Sequence, residues 1–122
     1  MNKKIVLTDK SPAPIGPYSQ AVMANGTLYI SGQIALSVAS SGDIALETKA
    51  VMENMGHILE AAGMTFANVV KCGIFLKDMD DFTTVNEVYG TFFDEQPPAR
   101  ETVQVSRLPK DVNVEISAIA VV

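Results

Sequence analysis

Pro97-Pro98-Ala99-Arg100-Glu101-Thr102-Val103-Gln104-Val105 leads through the turn Arg107-Leu108-Pro109-Lys110-Asp111 into Val112-Asn113-Val114-Glu115-Ile116. Two β-rich runs around a proline-containing turn predict a closing hairpin. The chain has two arginines, and Arg100 follows a rigid Pro-Pro step. Glu115 sits mid-strand, where a charge is unfavourable unless something satisfies it. By alternation Arg100, Thr102 and Gln104 share one side of the first strand, and Asn113, Glu115 and Ser117 share one side of the second. The two sets face together if Thr102 stands opposite Glu115, a register that the five-residue turn does not fix. A guanidinium fork near a partly buried carboxyl suits a small carboxylic acid and its proton transfers.

Working back from this segment, Val69–Lys77 reads as a strand with Val70, Cys72, Ile74 and Leu76 on one face. Asp80 or Asp81 is placed to cap a helix with Phe82, Val85, Val88, Tyr89 and Phe92 on its apolar side. Val51, Met55, Ile58, Leu59 and Ala62 recur at helical spacing, and Gly63 stops that helix, which spans about residues 46–62. Asn25-Gly26 marks a hairpin between 20–24 and 27–34. Three prolines make 9–19 a turn-rich loop. The order β-β-β-α-β-α-β-β is an α+β pattern, one domain over 1–122, with two helices on one sheet face.

The opposite face is expected to carry Tyr29, Ser31, Gln33, Thr102, Gln104, Asn113, Glu115 and Ser117. These are polar but mostly uncharged, unlike a solvated sheet face, which implies a second subunit around a polar cavity.

Composition removes several classes of function. The 122 residues carry a formal charge of −5, which disfavours a phosphate-tracking nucleic-acid binder. Ile5-Val6-Leu7 is too short for a signal core or a membrane span, so a cytoplasmic protein is expected. One cysteine and one histidine build neither a disulfide framework nor a zinc site. His57 lies among Glu53, Asn54 and Glu60 as a surface residue, and Cys72 reads as a small buried hydrophobe. Asp78-Met79-Asp80-Asp81 fits a capping turn, and neither Gly16-Pro17 nor Ser31-Gly32 makes a phosphate loop.

Four separated motifs carry a resemblance that spans nearly the whole chain. They are Ala13-Pro14-Ile15-Gly16-Pro17-Tyr18-Ser19-Gln20, Ile30-Ser31-Gly32-Gln33-Ile34, Asp81-Phe82-Thr83-Thr84-Val85-Asn86-Glu87-Val88-Tyr89, and Pro98-Ala99-Arg100 through Val114-Glu115-Ile116. In this the chain resembles the Rid (YjgF-like) reactive-intermediate deaminases. The resemblance implies a chorismate-mutase-like α+β fold with a six-stranded mixed sheet, a homotrimer with clefts between subunits, and no cofactor. It implies hydrolysis of 2-iminopropanoate and 2-iminobutanoate, derived from the enamine products of pyridoxal-phosphate-dependent threonine or serine dehydratases, to 2-oxo acids and ammonia. Arg100 matches the family's carboxylate-gripping arginine, and Glu115 the glutamate that handles water and protons. Tyr18, Ser31, Gly32 and Asn86 match cleft-lining positions. Thr102 stands where the family often has cysteine, so backbone contacts carry over there and a thiol role does not. Two other expectations stand beside the deaminase: a non-catalytic trimeric sensor of small 2-oxo or carboxylic acids, and a ribonuclease or translation inhibitor. The acidic balance and the lack of a histidine pair oppose the last.

Overall fold

The computed structural model describes residues 2–122. Its strands are β1 (Lys3–Val6), β2 (Ala21–Ala24), β3 (Thr27–Gln33), β4 (Val69–Leu76), β5 (Ala99–Gln104) and β6 (Val114–Val121). Its helices are α1 (Leu36–Ala39), α2 (Ile44–Ala61) and α3 (Phe82–Gly90). The first hairpin turns at Asn25 and Gly26 with φ of 52° and 75°, the left-handed pair a tight two-residue turn needs. Helix α2 begins at Asp43, whose side chain accepts from Leu46 N–H at 3.1 Å, and Gly63 follows its end at φ 74°. The one-turn helix α1 lies inside the expected loop, where no periodicity marked it.

The six strands form one mixed sheet in the order β1-β2-β3-β6-β4-β5, antiparallel throughout except for the parallel pair β4/β5. The expected closing hairpin is therefore wrong. β4 lies between β5 and β6, and the turn at 107–111 carries the chain across its end. Val105 N–H donates to Leu76 O at 2.9 Å and Lys77 N–H to Asn113 O at 3.0 Å, so β4 is clasped from both sides. The helical connection through α3 supports this arrangement, since a parallel neighbour needs a crossover of a dozen or more residues. The turn folds through a short 3-10 stretch (Pro109–Asp111), with Lys110 and Asp111 both at positive φ.

Both long helices pack on one face. Leu28, Met52, Met55, Ile58, Leu59, Ile74, Leu76 and Ile116 are fully buried there. Each such side chain contributes ~1.5–3 kcal/mol relative to exposure, so this layer fixes the inward faces of β3, β4 and β6. Register shifts then correct two sequence assignments. A bulge between Ile30 and Gln33 turns Gln33 into the core beside Ile116, away from the polar face expected for it. A second, between Val69 and Lys71, leaves Val70 exposed instead of buried with Cys72.

The third correction matters most. Cys72 pairs with Arg100 on one side and Ala118 on the other, and Ile74 pairs with Thr102. Directly paired residues share a face, so Arg100, Thr102 and Gln104 belong to the helix side. Glu115 pairs with Phe75, which pairs with Val103, and these occupy the open side. Asn113 leaves the open face too, because its side chain donates to Glu47 and Ala39 O.

Candidate active site

Arg100 projects from edge strand β5 toward α3. Its Nη1 donates to Asn86 Oδ1 at 2.6 Å, and its guanidinium lies 5.2 Å from the Tyr89 ring centre and 5.6 Å from that of Phe82. One hydrogen bond and two aromatic faces hold a side chain that otherwise has many rotamers. Asn86, Tyr89, Gly90, Pro97, Pro98 and Arg100 line a cavity of about 410 Å³. The Pro-Pro step thus forms one wall and presents the arginine beside it. The Tyr89 hydroxyl is buried without a hydrogen-bond partner, and burial raises the ordinary pKa of both Tyr89 and the buried Cys72. A thiol kept protonated in that setting is a packing group and a poor nucleophile. The Thr102 hydroxyl is buried without a hydrogen-bond partner on the same side.

Glu115 lies on the open side of the sheet. Its carboxyl folds over Gly32, where an added Cβ would collide with it. It is half-buried, and desolvation raises its pKa above the usual carboxylate range. Ser31 next to Gly32 donates its hydroxyl to Ser19 O at 2.6 Å, and its N–H bonds to Gln20 O at 3.0 Å. These bonds staple the loop carrying Tyr18, which is exposed, to β3.

The expected residues therefore fall into two groups. Arg100, Asn86 and Thr102 stand on the helix side; Glu115, Gly32 and Ser31 stand on the open side, with Tyr18 in the loop tied to it. The structure does not bring Arg100 and Glu115 together within one chain. Asn86 proves to be a hydrogen-bond partner of Arg100 as well as a cavity wall. Sequence reading missed Phe82 and Tyr89 as ring partners of Arg100, although Phe82, Asn86 and Tyr89 at i, i+4 and i+7 share one helix stripe. Glu47, buried on α2, was also missed. A larger cavity of about 880 Å³, lined by Phe66, Phe92, Phe93, Asp94 and Glu95 among others, offers no basic group to a carboxylate. Among the described residues no cluster of His, Cys, Asp or Glu is arranged to hold a metal, and no helix is long and apolar enough to cross a membrane.

The fold is α+β with a cavity that Arg100 helps to line, and comparison with known proteins gives its family. The family described as endoribonuclease L-PSP matches residues 8–122. The 2-iminobutanoate/2-iminopropanoate deaminase of Homo sapiens is 48% identical over 123 residues, covering 98% of this chain and 90% of that protein. A RutC family protein of Pyrococcus horikoshii is 50% identical over 122 residues, covering 97% of each. Among solved structures, E. coli TdcF with bound serine is 42% identical with a TM-score of 0.90, covering 98% of each chain. The YjgF gene product of E. coli is 43% identical with a TM-score of 0.89, covering 97% of this chain and 98% of that one. The chain belongs to the endoribonuclease L-PSP (YjgF/RutC/Rid) family.

Proposed function

We propose that the protein hydrolyses short-chain 2-imino acids, chiefly 2-iminopropanoate and 2-iminobutanoate, to 2-oxo acids and ammonia. The observation that carries this reading is the Arg100 guanidinium, fixed by Asn86, Phe82 and Tyr89 at the side of a cavity. Relatives named as deaminases of these imines support it, as does a relative whose structure holds serine, which bears the same α-carboxylate. A bidentate contact between Arg100 and the substrate carboxylate, worth ~1.5–3 kcal/mol, selects the substrate class. The protonated imine is already electrophilic at C2. Water adds to that carbon and its proton passes to Glu115. Glu115 returns that proton to the amino nitrogen, and the C–N bond breaks to release ammonia as the hydroxyl oxygen's electrons form the C=O. The hydroxyl proton leaves with ammonia as ammonium, which restores the carboxylate. No covalent intermediate with the protein is needed, which suits a site without an activated nucleophile.

Arg100 and Glu115 lie on opposite faces of one sheet, so a complete site takes the clamp from one chain and the carboxyl from another. We assign this site to clefts of a homotrimer in a chorismate-mutase-like arrangement. Arg100 lies on an edge strand, and Tyr29 and Val103 are exposed on the open face, as packing of a second copy there requires. Tyr18, Ser31 and Gly32 would wall the cleft around Glu115, with Asn86 and Thr102 on the arginine's side. The substrate would be supplied by a cytoplasmic pyridoxal-phosphate-dependent threonine or serine dehydratase, and no cofactor takes part. The test is 2-oxobutanoate release from a threonine dehydratase reaction in the presence of semicarbazide, with wild type and Arg100→Ala. No acceleration by wild type would sink the reading.

The separation of clamp and carboxyl favours one rival, a sensor that binds small 2-oxo acids without turnover. It requires saturable binding that survives Glu115→Ala, with no imine hydrolysis by the wild type.

A further inference from the structure

Glu47 lies in the first turn of α2 and is 1% exposed. A carboxyl so placed must be satisfied, and three N–H donors satisfy it. Asn113 N–H donates to Oε2 at 2.8 Å, Val114 N–H to the same oxygen at 3.3 Å, and Asn113 Nδ2 to Oε1 at 2.7 Å. The positive end of the α2 dipole favours an acid at this position. No lysine or arginine pairs with it among the described residues. The residues it grips are the two immediately before Glu115. They follow a turn in which Lys110 and Asp111 both hold positive φ, a conformation that persists where neighbouring contacts impose it. The far side of the same segment is held by Lys77 N–H donating to Asn113 O and by the Lys77–Asp111 ion pair at 3.0 Å.

We propose that Glu47 is a positioning residue for Glu115: from the helix side it latches the start of β6, and so holds the Glu115 carboxyl over Gly32 on the open side. Glu47 touches no substrate and acts through the backbone of Asn113 and Val114. The catalytic consequence rests on the reading of Glu115 as the water's partner. The surroundings of Glu115 make the latch measurable. Its neighbours are Phe75, paired with it on β4, Gly32 on β3 against the carboxyl, Ser117 on β6, and Lys77 just past the end of β4. Lys77 is the only charged one, and it is paired with Asp111. The carboxyl's environment is therefore set by how closely it lies against Gly32.

The experiment compares the full-length wild type, Glu47→Leu and Glu47→Gln. Leucine fills the space without an acceptor, whereas glutamine retains one oxygen for the two backbone N–H groups. Glu47→Leu is expected to lose about ten-fold in kcat with KM within about two-fold, because the Arg100 clamp is untouched. Glu47→Gln is expected to keep at least about half of kcat, since one acceptor remains. A second readout needs no turnover: the Glu115 carboxyl, followed by carbon-detected NMR titration, should move down toward the ordinary carboxylate midpoint in Glu47→Leu. An unchanged kcat, or a loss that follows folded fraction while the Glu115 midpoint stays put, overturns the proposal. If the wild type shows no imine hydrolysis, the deaminase reading falls, and the titration still decides whether Glu47 seats Glu115.

Discussion

The surroundings of Arg100 and of Glu115 are built on opposite terms. Arg100 is charged and satisfied: an amide oxygen 2.6 Å away and two ring faces meet its guanidinium, all from the one helix α3. Glu115 is half-buried and accepts no side-chain hydrogen bond among the described residues, resting instead against a glycine that precedes it by most of the chain. A grip has to be rigid before ligand arrives, so organising it in advance adds to affinity. A group that must exchange a proton works better if neither protonation state is overwhelmingly preferred. Under the proposed roles, the arginine is held in place in advance by Asn86 and two rings, and the carboxyl is left partly unsatisfied.

The largest test of this contrast removes the grip. Arg100→Ala should lower kcat/KM for iminobutanoate by roughly 10–150-fold, the equivalent of ~1.5–3 kcal/mol. Arg100→Lys should recover little, because an ammonium cannot reproduce the planar fork over Phe82 and Tyr89. Steady-state kinetics in the coupled assay measures both. On the other side, Gly32→Ala drives a methyl into the Glu115 carboxyl, the movable end of a long side chain, and should lower stability by less than about 1 kcal/mol as the carboxyl swings aside, read from urea denaturation midpoints. Its effect should be relieved in Gly32→Ala/Glu115→Ala, because the colliding atoms are gone.

Smaller changes sharpen the picture further. Tyr89→Leu should raise KM about two- to five-fold by removing one ring from Arg100, whereas Tyr89→Phe should leave KM close to wild type. An equal loss in both variants would show that the ring face is irrelevant. The smallest effect concerns pH. Glu115 has a folded-state pKa above its unfolded value, so its stabilising contribution is complete below the ordinary glutamate range. That contribution is lost as pH rises through the folded pKa. Glu115→Gln should therefore flatten the decline in thermal midpoint that this carboxyl imposes as pH rises above the ordinary glutamate range. A slope identical to wild type would remove Glu115 as its source.

Much of the architecture was legible because it rests on local rules. The α2 and α3 stripes, the Asn25-Gly26 turn and the prolines of 9–19 each follow from the spacing or backbone freedom of a few residues. The partner of β5 was not legible. Val103 and Val105 invite an inward assignment, yet Val103 faces outward because β5 pairs with β4, not β6. A pairing choice between distant segments leaves no trace in either one. The site shows the same division. The motifs around Arg100, Glu115, Tyr18, Ser31 and Asn86 could be read directly, but their sorting onto two faces depended on that pairing. Glu47 stands in a helix's first turn, and nothing near it in sequence announces a partner 66 residues away.

The position of β6 also bears on how the chain folds. This strand comes last among the elements, yet it lies inside the sheet, joining β3 to β4. Until residues 114–121 pair, the chain has two separate strand groups, β1-β2-β3 and β4-β5. Each exposes a strand edge of unpaired amides and carbonyls, and β4 adds an apolar side. Pairing across such long sequence separations is slow, so the folding chain is most aggregation-prone before β6 docks. A chain cut before residue 114 would be left with two sticky edges and no strand to join them.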